Sequence, residues 1–378
     1  MYLPKLILLH WQQIIFVLFS AVAFIQLFYY VFFFSRLTFY TQKEKPISQT
    51  HAVSVIVCAR DEAKNLLQNL PASLTQDYQA NHEVIVVNDN SFDDSKYILE
   101  EFKRTYKQLQ VVELTQEAKM IAGKKFPLSI GIKTAKHEIV LLTDADCAPA
   151  SEHWIDSMQQ HYDVDTEIVL GYGAYQKNTG LLNLIIRWET FHSALQYFSY
   201  ALAGVPYMGV GRNLSYKKQV FFRHKGFSAH NGLPGGDDDL FVNTAANKKN
   251  TKINIDKNSF TLSKPASTWD QWLSQKKRHY TTSKYYRPLH KLLLSIYAFT
   301  HFLFYPLLIA TCLFYDWKYA LMVFAGRMVI QAIVYYKTMN KLGEKDLFPF
   351  FIFLDAWMFL YYIIFAPALM KKPKSTWK

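Results

Sequence analysis

Apolar and polar positions along the 378-residue chain fall into two kinds of pattern, one at the ends and one in the middle. Across residues 14–34 nearly every residue is apolar or aromatic, with only Ser20 and Gln26 interrupting. About 20 such residues cross a bilayer as a helix. No small-x-small cleavage site follows; Arg36 and Lys43 follow instead, so residues 1–36 read as a retained membrane anchor and not a signal peptide. Residues 290–370 repeat this character as two or three membrane segments. One apolar run covers 292–314, a second 319–336 broken by Arg327 and Gln331, and a third 347–370 with Asp355 inside it. The short connector Asp316-Trp317-Lys318 predicts that the first two runs form an antiparallel hairpin. Lys and Arg crowd residues 36–287 and 337–345, which places both stretches on the cytosolic side. Four full spans would then put the Lys371-Lys372-Pro373-Lys374 tail outside. With Asp355, Pro349 and Pro367 in it, the last run is open between a full span and a segment that dips or lies in the interface.

Residues 51–285 change character. Short β-branched runs at 53–58, 84–87, 111–114 and 139–143 predict buried strands. Helical spacing occupies 61–74, 93–106 and 123–135 between them. Such alternation implies an α/β domain with a Rossmann-like, mostly parallel sheet and a ligand at the carboxyl ends of its strands. Three of those ends are polar or acidic: Ala59-Arg60-Asp61-Glu62, Asp89, and Asp144 with Asp146. Further on, residues 181–203 are rich in aromatic and aliphatic side chains, with Arg187, Glu189 and His192 interspersed. This reads as an amphipathic interfacial helix, with a core helix of the soluble domain as the alternative.

Composition narrows the partners. The formal net charge of +12 alone suits nucleic acid, an anionic membrane or a phosphorylated substrate. The 16% of aromatic residues, concentrated at the two ends, favours the membrane and argues against nucleic acid. Three cysteines, Cys58, Cys147 and Cys312, are far apart and offer neither a zinc spacing nor a disulfide framework.

The candidate chemistry is acidic. Asp144 and Asp146 flank one small residue after a strand and can hold a divalent cation by carboxylate oxygens; the bland reading is a capping Asp. Asp89 can accept from a base imide or a ribose hydroxyl, or can simply form a turn. In Gly235-Gly236-Asp237-Asp238-Asp239, neighbouring carboxylates raise one another's pKa and one can serve as general base; an exposed acidic turn is the alternative. Gln275-Lys276-Lys277-Arg278-His279 is either a lipid-facing basic stretch or an Arg clamp for a diphosphate. The glycines of Gly209-Val210-Gly211-Arg212-Asn213 suggest a backbone that comes close to a ligand.

Taken together, these motifs resemble family 2 glycosyltransferases of the GT-A fold, in particular the membrane-integrated branch of cellulose, hyaluronan and poly-N-acetylglucosamine synthases and ceramide glucosyltransferases. The resemblance covers residues 53 to about 282, with its motifs in family order. It implies a UDP-sugar donor held by Ala59, Arg60, Glu62, Asp89, Lys124 (in Gly123-Lys124), Asp144, Asp146, Gln275 and Arg278. It implies Mg²⁺ or Mn²⁺ on Asp146 and Asp144, Asp237 as catalytic base, and a lipid or glycan acceptor near Gly211, Asn213, Asp237 and His279. The expected protein is an integral membrane enzyme of the cell inner membrane with a cytosolic catalytic domain. It would transfer a hexose or N-acetylhexosamine with inversion. A processive polysaccharide synthase and a non-catalytic scaffold of the same fold are the alternatives. Two positions depart from the family pattern: Gly236 stands where an acidic residue precedes the base, and His279 where a tryptophan directly follows the arginine.

Overall fold

The sheet begins where the apolar runs predict it, but its strands extend past them. A computed structural model describes residues 3–42, 49–115, 123–233 and 235–370. Lys43 and the basic tail from Lys371 lie outside the described residues. The chain divides into two units, residues 41–286 and residues 1–40 with 287–370.

In residues 41–286 the strands are β1 (Val53–Ala59), β2 (His82–Asp89), β3 (Leu109–Leu114), β4 (Ile139–Asp144), β5 (Cys147–Pro149), β6 (Ile168–Leu170), β7 (Gly173–Tyr175), β8 (Leu214–Lys217), β9 (Thr251–Ile253) and β10 (Thr261–Ser263). A seven-stranded sheet has the order β3-β2-β1-β4-β8-β6-β9, and a three-stranded sheet the order β5-β10-β7. β1 to β4 are mutually parallel, and β8 runs antiparallel to both β4 and β6. Every residue of β1 is buried, as in a parallel sheet covered on both faces. Polar strand ends are tolerated because they are paired. Buried Glu83 of β2 accepts from Ser54 Oγ at 2.7 Å and from the Lys136 amide at 2.7 Å. The helices start later than their spacing suggested, at Ala63, Ser95 and Lys125, because the residues before each one form a turn.

After β1 the chain builds β2 and β3 to one side, then crosses to lay β4 on the other. This is the switch point at which open α/β sheets bind ligands. It lies between the ends of β1 and β4, where Cys58 is in register with Asp144. The helix Lys125–Thr134 presses on β1 there: a Cβ at Gly131 would come 2.7 Å from Ile56 Cγ2. The helix Leu181–Leu202 is buried round most of its circumference, Arg187, Trp188, Glu189 and His192 included. A helix lying in a bilayer interface would leave one face uncovered, so the arrangement follows the core-helix alternative.

In the other unit, three runs are long and apolar enough to cross a membrane: His10–Phe39, Pro288–Lys341 and Lys345–Ala368. The middle run, at 54 residues, is far longer than the roughly 20 that one crossing needs. It holds two helices, Pro288–Thr311 and Trp317–Lys341, broken at the extended Asp316 (φ −155°, ψ 120°), whose carboxylate accepts from the Lys318 amide. Phe304 packs against Phe324 and lies 4.3 Å from the Arg327 guanidinium, so the two helices turn back on each other as the connector predicted. The polar residues that broke the apolar runs meet each other. Arg327 Nη1 lies 2.8 Å from Asp355 Oδ2 with both side chains fully buried, and Nη2 donates to Gln26 Oε1 at 3.4 Å. Asp355 also accepts from Tyr305 at 2.6 Å and Gln331 at 2.5 Å. Gln26 donates in turn to Thr300 Oγ1 at 2.6 Å, so the network draws on all four helices. Asp355 is therefore a paired residue, and its charge gives no reason for the last helix to stop short of a full span.

Candidate active site

The loops after β1 and β2 are fastened to each other. Asp61 (φ 53°) and Asn90 (φ 51°) both take the left-handed backbone that Asp and Asn tolerate better than most residues. The Asp61 amide donates to Ser91 Oγ at 2.9 Å, and the Phe92 amide returns a bond to Asp61 Oδ1 at 2.7 Å. The Ala63 amide donates to Asp93 at 2.9 Å and the Glu62 amide to Ser95 Oγ at 3.2 Å. Much of Asn88-Asp89-Asn90-Ser91-Phe92-Asp93-Asp94-Ser95 thus braces the β1 loop, which carries Arg60 and Glu62. Ala59 is fully buried, so what it offers is backbone; Asp89, also fully buried, closes β2.

Asp144 ends β4 and Asp146 follows one residue later. Lys124, at the start of the helix pressed on β1, forms an ion pair with Asp144. Its ammonium also feels the charge of Asp237, so the acidic turn lies within electrostatic range of the Lys124–Asp144 pair. Enclosure by protein pushes the Asp144 pKa up, but the charge and hydrogen bond of Lys124, helped by Arg212 and Arg278, outweigh it and hold the carboxyl below its usual range. Asp146 goes the other way: enclosure and then the charge of Asp144 raise it, although solvent reaches the side chain in its recess. A carboxyl whose ionised form is disfavoured by a neighbouring carboxylate suits a divalent ion, which would relieve that repulsion. One donor atom each from Asp144, Asp146 and Cys147 lies within 4.8 Å of the others. Cys147 is a poor ligand all the same. Burial, then Asp146 and Asp144, push its thiol pKa well up, and it is already bonded to Ser263 Oγ at 2.8 Å. The fit is therefore to a hard cation held by Asp144 and Asp146.

The acidic turn divides its labour. Asp238 accepts from the Gly211 amide at 2.8 Å and from the Asp239 amide at 2.7 Å. Asp239 accepts from Thr282 at 2.5 Å and from Tyr286 at 2.8 Å, tying the turn to the segment after the helix Trp269–Tyr280. Asp237 is left without a hydrogen bond to another described residue. Gly236 sits at φ +92°, and a Cβ there would lie 2.4 Å from Leu240 Cδ1. The acidic residue of the family pattern does not fit this backbone. Sequence reasoning missed Lys125: fully buried, it donates to the carbonyls of His230 at 2.5 Å and Leu233 at 3.0 Å and so fixes the loop leading to the turn. The doubled lysine after Gly123 was the available signal.

One expected acceptor contact is corrected. Asn213 is fully buried, and its amide is used up by Trp154 Nε1 at 3.1 Å and by the carbonyls of Tyr172 at 2.9 Å and Ser259 at 2.7 Å. It is a strut holding the backbone of Gly211 and Arg212, with no group left for an acceptor. On the helix Trp269–Tyr280, Gln275 donates to the Tyr175 hydroxyl at 3.4 Å, while buried Lys276 forms an ion pair with Glu189. Arg278 and His279 remain exposed on that helix.

A mostly parallel sheet with an Asp-x-Asp at its switch point and an acidic turn beside it is the GT-A arrangement. The family described as glycosyl transferase family 2 matches residues 54–223. Glycosyltransferase AglE of Haloferax volcanii is 30% identical over 105 residues, covering 28% of this chain and 33% of that protein. Poly-beta-1,6-N-acetyl-D-glucosamine synthase of Staphylococcus epidermidis is 30% identical over 114 residues, covering 28% of this chain and 26% of that protein. The matches thus span a third or less of these two relatives' lengths. Among solved structures, mannosyltransferase PcManGT from Pyrobaculum calidifontis, in complex with GDP-Man and Mn²⁺, shares the fold with a TM-score of 0.58 at 18% identity, over 93% of this chain and 99% of that one.

Proposed function

We propose that the chain is an inverting glycosyltransferase that moves a hexose or N-acetylhexosamine from a UDP-sugar to a lipid or glycan acceptor presented at a membrane. The observation that carries this reading is the Lys124–Asp144 ion pair at the sheet's switch point, with Asp146 beside it and Asp237 within electrostatic range. Arg60, Glu62, Asp89 and the Ala59 backbone hold the nucleoside, and Lys124, Gln275 and Arg278 serve its diphosphate. Asp146 and Asp144 hold Mg²⁺ or Mn²⁺, which when bound neutralises charge on the leaving diphosphate. Asp237 takes the proton from the acceptor hydroxyl as that oxygen bonds to the anomeric carbon and the bond to the diphosphate breaks. Gly211 and His279 border the acceptor. The apolar helices make an integral protein of the cell inner membrane, with the catalytic unit in the cytosol. The fully buried Arg327–Asp355 pair occupies the interior of the helix bundle, and this supports single transfer over a processive synthase that threads polymer through it.

Thermal unfolding of the detergent-purified chain with a panel of UDP- and GDP-sugars, with and without Mn²⁺, tests the donor. A donor present at 100 times its Kd stabilises by about 2.7 kcal/mol. UDP-sugars with Mn²⁺ are expected to raise the midpoint. No shift with any sugar nucleotide would contradict the reading and favour the scaffold.

A further inference from the structure

Among the described residues Arg212 has no carboxylate partner, and its side chain bonds to Tyr175. It sits between Gly211, whose amide is bound by Asp238, and the strut Asn213, so its backbone is fixed on both sides. Its own carbonyl accepts from Thr261 Oγ1 at 3.0 Å. The guanidinium lies over the ring of Tyr175 at 4.3 Å and is also hydrogen-bonded to that side chain. Room for this pose comes from a glycine: a Cβ at Gly173 would lie 2.3 Å from Arg212 Nε. Nε is shielded from solvent and has no hydrogen-bond partner among the described residues. No carboxylate of the described residues pairs with Arg212, yet its charge acts on Asp144, Asp146 and Cys147. Around two carboxylates the structure therefore gathers Lys124, Arg278 and Arg212. Three cations beside a divalent ion would make this end of the site attractive to an anion.

We propose that Arg212 receives the diphosphate of the nucleotide donor through the unpartnered Nε side of its guanidinium, with Tyr175 as the platform that aims it. This rests on the reading of the site as a sugar-nucleotide site. Arginine suits the task because two parallel N–H donors match two phosphate oxygens, where a lysine offers a point charge. Gln275, bonded to the Tyr175 hydroxyl, links the platform to the helix that carries Arg278.

Calorimetric titration of the detergent-purified full chain in Mn²⁺ with UDP, GDP, UMP and GMP tests the assignment. The unaltered protein is expected to bind a diphosphate more tightly than its monophosphate. Arg212→Ala should weaken the diphosphate by roughly tenfold to a hundredfold, the range for losing a hydrogen bond to a charged group. It should leave the monophosphate within about twofold. Arg212→Lys, which keeps the charge and guards against a folding defect in the alanine variant, should recover part of the loss. Tyr175→Phe should keep most of the discrimination. Equal weakening of both nucleotides by Arg212→Lys, or no weakening by either Arg212 variant, would overturn the assignment while leaving the donor site standing. Failure of the unaltered protein to bind any of the four nucleotides would overturn the functional reading, and the role of Arg212 with it.

Discussion

The membrane unit offers a perturbation whose size follows from its geometry. Arg327 and Asp355 are both fully buried and 2.8 Å apart. Arg327→Leu leaves Asp355 with the neutral donors Tyr305 and Gln331 and with His301 Nε2 at 3.2 Å. Asp355→Leu leaves the guanidinium with Gln26 Oε1 at 3.4 Å and the face of Phe304 at 4.3 Å. Breaking a buried pair by removing one partner costs about 3–5 kcal/mol, because an uncompensated charge stays behind. Insertion measurements put a charge at the centre of a membrane helix at about 2.5–3.5 kcal/mol, so about 3 kcal/mol per single variant is expected. The double variant Arg327→Leu/Asp355→Leu removes both charges and should fall within about 1 kcal/mol of the unaltered protein or exceed it. Unfolding in mixed micelles by titration with dodecyl sulfate, followed by circular dichroism, yields the double-mutant cycle. A double variant no more stable than either single would refute the reasoning, as would single variants that cost under about 0.5 kcal/mol.

Other predictions concern the catalytic unit. Burial, then the charges of Asp237 and Asp239, push the Asp238 carboxyl up to about 8, against an unfolded value of about 3.9. The folded state then holds a proton that the unfolded chain has lost. Stability from this group is full below about pH 4, falls as pH rises to about 8 and levels off above; Asp238→Asn should flatten that part of the thermal midpoint against pH. Gly236→Ala forces a side chain into φ +92° and against Leu240; backbone strain alone should cost about 1–3 kcal/mol, read as a lowered midpoint and lost turnover. Lys125→Met frees the carbonyls of His230 and Leu233, so kcat should fall on the order of tenfold to a hundredfold while donor Kd stays constant, measured by steady-state kinetics beside calorimetry.

The parallel half of the sheet was legible in the sequence because β1 to β4 are runs long enough to carry a pattern. β6, β7, β9 and β10 are three residues each, too short for any period, and the antiparallel edge of the sheet went unread with them. Asp144, Asp146 and Asp237 were visible because chemistry needs those residue types after strands and in tight turns. Asn213 was misjudged because a saturated amide and an acceptor-facing amide look alike until their neighbours are in place. The helix Leu181–Leu202 misled for a related reason: polar residues such as Arg187 and Glu189 suggested a wet face, but both are buried, and Glu189 is paired with Lys276 from a helix far along the chain. Arg327, Gln331 and Asp355 read as interruptions of separate runs, and only their meeting in three dimensions turns them into one network.

The central claim is that sugar moves from a nucleotide to a hydroxyl with Asp237 as base. Incubating the purified protein with membrane lipid, Mn²⁺ and a UDP-sugar labelled in the sugar tests it most directly when run beside Asp237→Asn. The account predicts metal-dependent appearance of label in a lipid-extractable product. It also predicts that Asp237→Asn keeps its nucleotide affinity and transfers on the order of 10²–10⁴ times more slowly. Transfer by Asp237→Asn at the unaltered rate would contradict it.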